Sequence, residues 1–292
     1  MNDAFAFDKR QLRRSFEKAA RSYDSAAVLQ REVCDRLLER LPLLKIDPER
    51  ILDAGSGTGY AVPGLRRQFP RASVIELDLA VSMLLAARAK VAWWRRVLGA
   101  AGGRPQVCGD LEHLPLQAAS IDLVWSNLTL QWSNDLQAWL GECFRVLRPG
   151  GVLAFSSFGP DTLKELRTAF AAVDRAVHVN RFVDMHDVGD CLVQTGFAEP
   201  VVDMELVTLS YRELGDLMRD LKAIGAHNVN AGRPRGLAGR ALFRRVAEEY
   251  ERWRDARHGL PATFEVLYGV AWKPQPRTGP SGRPVIDIRP AI

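Results

Sequence analysis

Between residues 51 and 156, short apolar runs alternate with amphipathic stretches. Segments 51–54, 72–77, 106–108, 121–126 and 152–156 read as strands, and 60–69, 81–97 and 136–147 as helices. Alternating strands and helices need crossover connections, which predicts a parallel, doubly wound sheet with helices on both faces. Strands buried on both faces should be short and apolar, and these are. The first connection constrains most. Asp53-Ala54-Gly55-Ser56-Gly57-Thr58-Gly59 leaves a strand and enters a helix. Glycines there let the backbone close on a ligand and take positive φ with no Cβ in the way. The dinucleotide fingerprint needs Gly at 60, where Tyr60 stands, and a G-K-[ST] phosphate loop is absent. A pyrophosphate ligand is therefore disfavoured.

The flanks read differently. Residues 9–40 carry Leu12, Phe16, Ala19 and Ala20, then Val33, Leu37, Leu38 and Leu41, at helical spacing with a break near Tyr23-Asp24. Pro42 and Pro48 bracket a loop, and Arg148-Pro149-Gly150-Gly151 reads as a turn. Beyond Asp161, helices are expected over 161–177, 183–194 and 214–224, with Gly196 as a helix stop. Strands are expected over 201–209 and 264–272, and a basic stretch runs to Arg257. The last 20 residues hold five prolines and predict a disordered tail.

Composition sets the outer limits. The chain has 292 residues, 47% hydrophobic and 26% charged, which excludes a wholly disordered or low-complexity chain. Arg, Asp or Pro interrupts every apolar run before the roughly 20 residues of a membrane span. Residues 1–18 are charged and lack an apolar secretory core, so a cytoplasmic location is expected. The net charge of +5 admits an acidic partner but is too mild to imply nucleic acid. Cys34, Cys108, Cys143 and Cys191 have neither metal-ligand nor redox spacing, so reduced thiols and no metal are expected.

The short G-x-G-x-G loop with its leading acid resembles motif I of the S-adenosylmethionine-dependent methyltransferases. The resemblance implies a Rossmann-like, seven-stranded sheet with an N-terminal helical lid and a C-terminal α/β cap. The implied organisation is a lid over 1–44, a cofactor core over 45–160, a substrate cap with remaining core elements over 161–272, and a tail over 273–292. It also implies that Asp53, Gly55, Gly57 and Gly59 hold S-adenosyl-L-methionine. Asp78 would take both ribose hydroxyls, with Leu79 and Met83 beside it. Asp110 would meet the adenine amino group, Leu111 would supply backbone contacts, and Asn127 would lie near the methyl donor.

A narrower resemblance rests on 110–116, on Trp125-Ser126-Asn127-Leu128, Gln131-Trp132, His178-Val179-Asn180-Arg181-Phe182 and 221–226. These are similar to the malonyl-[acyl-carrier protein] O-methyltransferases of biotin synthesis. The segments at 158–167 and 261–272 also resemble complex I assembly factors of the same fold, which are linked to arginine hydroxylation. Another small-molecule O-methyltransferase is a further alternative. The first reading implies a malonyl thioester, on acyl-carrier protein or CoA, methylated on its free carboxylate. That carboxylate is already ionised at pH 7, so no general base is required. A cationic clamp and a lid are expected instead, with Arg181 as a buried clamp, Tyr23 as a lid residue and Lys222 as a second cation. His178 reads as structural, and His113 as a loop residue without a partner. The basic segments 88–104 and 233–257 are expected to dock the acidic carrier, on a monomer or weak dimer.

Overall fold

The computed structural model describes residues 6–90, 105–226 and 239–276. Seven strands form one sheet: β1 (Arg50–Ala54), β2 (Ser73–Asp78), β3 (Gln106–Cys108), β4 (Ile121–Ser126), β5 (Leu147–Phe158), β6 (Ala198–Tyr211) and β7 (Leu260–Trp272). Their order is β3-β2-β1-β4-β5-β7-β6. The first five are parallel, and β7 runs antiparallel between β5 and β6. The chain moves outward from β1 through β2 to β3, then returns to place β4 on the other side of β1. Ligands in such sheets bind outside the carboxyl ends of the strands where the order reverses, here β1 and β4.

Side chains alternate between the two faces of each strand. Ile51, Leu123, Trp125, Val152 and Ala154 pack toward one face, while Leu52, Val124, Leu153 and Phe155 pack toward the other. Helices α3 (Val28–Arg40) and α4 (Val62–Gln68) cover the first face. The second is covered by α6 (Leu136–Val146) and α8 (Met185–Thr195). Helix α6 buries Trp139, Leu140, Cys143 and Val146, one stripe at helical spacing, and Asp135 caps its start by accepting from the Ala138 N–H. Helix α8 stops at Gly196, whose φ of +100° suits glycine.

Three further helices precede or flank the core: α1 (Lys9–Ala19), α2 (Tyr23–Ala26) and α5 (Val81–Ala89). After β5 come α7 (Lys164–Ala171), α9 (Leu214–Ala223) and α10 (Arg240–Tyr250). Strands β6 and β7 complete the main sheet, so the elements of 161–272 that stand outside it are helices and loops.

Several boundaries differ from expectation. The turn expected at 148–151 lies inside β5. Ile121 pairs with Leu147, but Leu123 pairs with Val152, so β5 bulges where β4 does not. Gly150 takes φ +80° there, and the Gly150 and Lys273 N–H groups bond the Lys273 and Gly151 carbonyls, each at 2.8 Å. The basic stretch contains α10, because Val246 and Tyr250 give it one buried face. Residues 91–97 of the expected 81–97 helix, and residues 277–292 of the expected tail, lie outside the described residues. Among the described residues, no helix is long and apolar enough to cross a membrane.

Candidate active site

The glycine loop is tied to the end of β2. The Gly55 and Ser56 N–H groups donate to the Leu77 carbonyl at 2.8 and 2.9 Å. The Gly57 N–H donates to Asp78 Oδ2 at 2.9 Å and the Ala80 N–H to Asp78 Oδ1 at 2.8 Å. Burial pushes the Asp78 carboxyl up to about 6, against the pull of these two N–H groups. Gly55 has φ +81°, and a Cβ there would lie 2.3 Å from Thr129 Cγ2. Asp53 is buried at the end of β1, beneath the loop.

The N-terminal helices close over this loop. Lys9 Nζ sits 2.9 Å from Asp110 Oδ1 and 3.0 Å from Glu112 Oε1. Burial of Asp110 is outweighed by hydrogen bonds from Lys9 and the Glu112 N–H, so its carboxyl lies below the usual range. Thr58 donates its hydroxyl to Asp24, and Lys90 Nζ reaches the same carboxylate at 2.7 Å. Tyr23 packs with Ala19, Ala80 and Met83. Burial, then the nearby Asp78 and Asp24 carboxylates, push its phenol well above the ordinary range. Ser22 donates to the Ala223 carbonyl at 2.9 Å, linking this lid to α9.

Two cavities meet under the lid. The smaller, about 80 Å³, is lined by Gly55, Gly57, Asp78, Leu79, Met83, Asp110, Leu111 and Asn127, with Leu12 from α1. The larger, about 770 Å³, is lined mainly by apolar residues from α2, α3, α7, α9, α10 and the loop before α8. Phe16, Tyr23, Leu128 and Trp132 line both. Leu128 has φ +48°, uncommon for a branched side chain, and its backbone is held by hydrogen bonds on both sides. Its N–H donates to Ser156 Oγ at 3.0 Å and its carbonyl accepts from Gln131 Nε2 at 2.6 Å. Ser156 in turn donates to Asn127 Oδ1 at 2.8 Å, while Asn127 Nδ2 donates to the Gln30 carbonyl of α3 at 3.0 Å.

Eight of the ten expected cofactor residues therefore converge on one cavity, while Asp53 and Gly59 do not line it. Tyr23 stands at the junction and Lys222 lines the larger cavity. Arg181, expected as a buried clamp, is exposed and lines neither cavity. Its neighbours Asn180 and Phe182 do line the larger one. Arg181, between these two, has its side chain in solvent. His178 lies in the same wall, stacked on Phe170 at 4.0 Å with Nε2 2.8 Å from the Asp174 carboxylate. His113 donates its N–H to the Asp110 carbonyl at 3.1 Å. The Lys9 contact and the Gln30-Asn127-Ser156 chain have no signature in the sequence, because each joins residues about a hundred positions or several elements apart.

The cradle fits an adenosyl ligand: two glycines with positive φ, a strand-end carboxylate facing the cavity, and apolar Leu79, Met83 and Leu111 around it. Its free volume, about 80 Å³, is well below the roughly 300 Å³ of a small-molecule site, and Leu12 and Phe16 of α1 form part of its wall.

Strand order 3-2-1-4-5-7-6 with one reversed strand, opening its switch point onto this cradle, is the class I S-adenosylmethionine-dependent methyltransferase fold. The methyltransferase-domain family matches residues 52–155. Among solved structures, the YcgJ protein of Bacillus subtilis superposes with a TM-score of 0.58 at 13% identity, over 82% of this chain and 99% of that one. An S-adenosylmethionine-dependent methyltransferase of Thermotoga maritima gives 0.52 at 16% identity, over 90% and 99%. These show the fold alone. Curated relatives go further. Proteins named malonyl-[acyl-carrier protein] O-methyltransferase from Gallionella capsiferriformans and Laribacter hongkongensis are each 54% identical, over 98% of both chains and 99% of both chains respectively. The chain belongs to the malonyl-[acyl-carrier protein] O-methyltransferase family.

Proposed function

We propose that the protein methylates the free carboxylate of a malonyl thioester, on acyl-carrier protein or CoA, as an early step of biotin synthesis. The observation that carries this reading is the large apolar cavity meeting the cofactor cradle at Tyr23, in a chain 54% identical to proteins of that name. S-adenosyl-L-methionine, when bound, supplies a methyl group on a sulfonium leaving group. Asp78 and Asp110 would hold its ribose and adenine, with Asp53, Gly55, Gly57 and Gly59 shaping the loop and Leu79, Met83, Leu111 and Asn127 forming the walls.

A malonyl carboxylate arrives ionised, so the chain has only to orient it and exclude water. The raised Tyr23 phenol stays protonated at any working pH and can donate to a carboxylate oxygen. Phe16, Leu128 and Trp132 surround that point with apolar surface, which strengthens such a hydrogen bond. Lys222 brings an ammonium group to the wall of the larger cavity, suited to the charge of the incoming acyl group. The test is label transfer from S-adenosylmethionine to malonyl-carrier protein, malonyl-CoA and acetyl-CoA. Transfer to the malonyl forms alone is expected. Cofactor binding with no transfer to any of the three refutes the reading.

A further inference from the structure

Arg181 faces solvent beside a wall of the larger cavity, and it does not do so alone. Asn180 and Phe182 line that wall, while Arg175 and Arg181 on the same segment are exposed. Helix α10 packs on α7, from which this segment continues, and repeats the pattern. Its Leu242 and Phe243 line the cavity, while Arg240, Arg244 and Arg245 are exposed. Phe243 is 38% exposed although it lines the cavity, and Lys222 is exposed although it lines it too. A side chain that is at once wall and surface marks an opening, so the arginines border the way in.

These arginines are also uncommitted. Among the described residues, Arg175, Arg181, Arg240 and Arg245 are in no ion pair, and Arg244 approaches Glu248 only to 3.9 Å. The nearby acids are otherwise engaged: Asp174 holds His178, and Asp220 lies against Tyr211. By contrast Arg252 and Arg254, further along, are matched to Glu249 and Glu251. A border of unmatched guanidinium groups around an apolar opening complements a carboxylate-rich surface, not an apolar or basic one.

We propose that Arg181, Arg240 and Arg245, with Arg175, form the docking border for the acidic protein that carries the malonyl group, the acyl arm entering beside Phe243. This rests on the function proposed above. It moves Arg181 from the reacting carboxylate to the carrier.

The test uses the full chain with Arg181, Arg240 and Arg245 each changed to alanine, singly and together. KM and kcat are measured for malonyl-carrier protein and for malonyl-CoA, at low and at raised salt. The triple variant should raise KM for the carrier substrate about tenfold at low salt, with kcat kept. Its KM for malonyl-CoA should stay within about twofold, which also reports that the variant is folded. Raised salt should weaken the wild type toward the variant on the carrier substrate. Equal losses on both substrates would return Arg181 to the interior and overturn the proposal. Unchanged KM on the carrier would overturn it as well. A wild type that methylates neither substrate would instead refute the function itself.

Discussion

Cofactor binding should depend on pH through Asp78, with a sign opposite to that of stability. The carboxyl lies at about 6 instead of 3.8, because the surrounding cradle shields it from water, and it accepts hydrogen bonds from Gly57 and Ala80. Ribose hydroxyls are donors, so the ionised carboxylate is the binding form. It is about 90% ionised at pH 7 and about 10% at pH 5, so affinity for S-adenosylhomocysteine should fall close to tenfold between them and level off above pH 7. Asp110 and Asp24 are both held below the usual range and stay ionised throughout, so they add no slope. Stability runs the other way. A carboxyl whose folded pKa is raised binds its proton more tightly in the folded state, so the cofactor-free protein loses stability as pH climbs from about 4 to about 6. A rise of just over two units corresponds to about 3 kcal/mol. Asp78→Asn should flatten both profiles and weaken binding about a hundredfold, since hydrogen bonds to a charged group are lost. Titration calorimetry with S-adenosylhomocysteine from pH 5 to 8, alongside thermal melts of the free protein, measures both. Wild-type affinity that is flat across that range, or an Asn variant that keeps the slope, would refute the reasoning.

Two other substitutions probe the same cradle. Gly55→Ala puts a Cβ 2.3 to 2.8 Å from three Thr129 atoms at φ +81°, which should cost about 3 kcal/mol or more in denaturant unfolding. Adding Thr129→Gly should restore the steric part and leave the backbone part. Tyr23→Phe should lower kcat about tenfold or more while the dissociation constant for S-adenosylhomocysteine changes less than about twofold. A proportional rise in that constant would instead make Tyr23 a cofactor contact.

The central strands were legible because they are short apolar runs, most of them closed by an acid or a glycine. Strands 106–108 and 121–126 fell on the residues predicted. The glycine loop and Asp78 were legible for the same reason, since local backbone geometry dictates both. Arg181 was not. Its segment has no regular structure, and the face it takes follows from Asn180 and Phe182 packing inward, which only the assembled wall determines. Helix 240–250 hid behind its arginines although Leu242, Phe243, Val246 and Tyr250 gave it an apolar face. The ends of β6 and β7 ran past their predicted limits because the two strands pair along twelve residues each, so pairing extends them where side-chain pattern alone would stop.

Phe16, Tyr23, Leu128 and Trp132 belong to both cavities, and this constrains how the protein can change over generations or in the hands of an engineer. A substitution at any of these four alters the acceptor chamber and the donor cradle together, so a new acyl preference won there brings a change in cofactor retention. The walls contributed by α7, α9 and α10 touch only the acceptor chamber. Substrate range can drift on that side while the donor half is held fixed. Diversification of this scaffold should therefore concentrate in the sequence after β5.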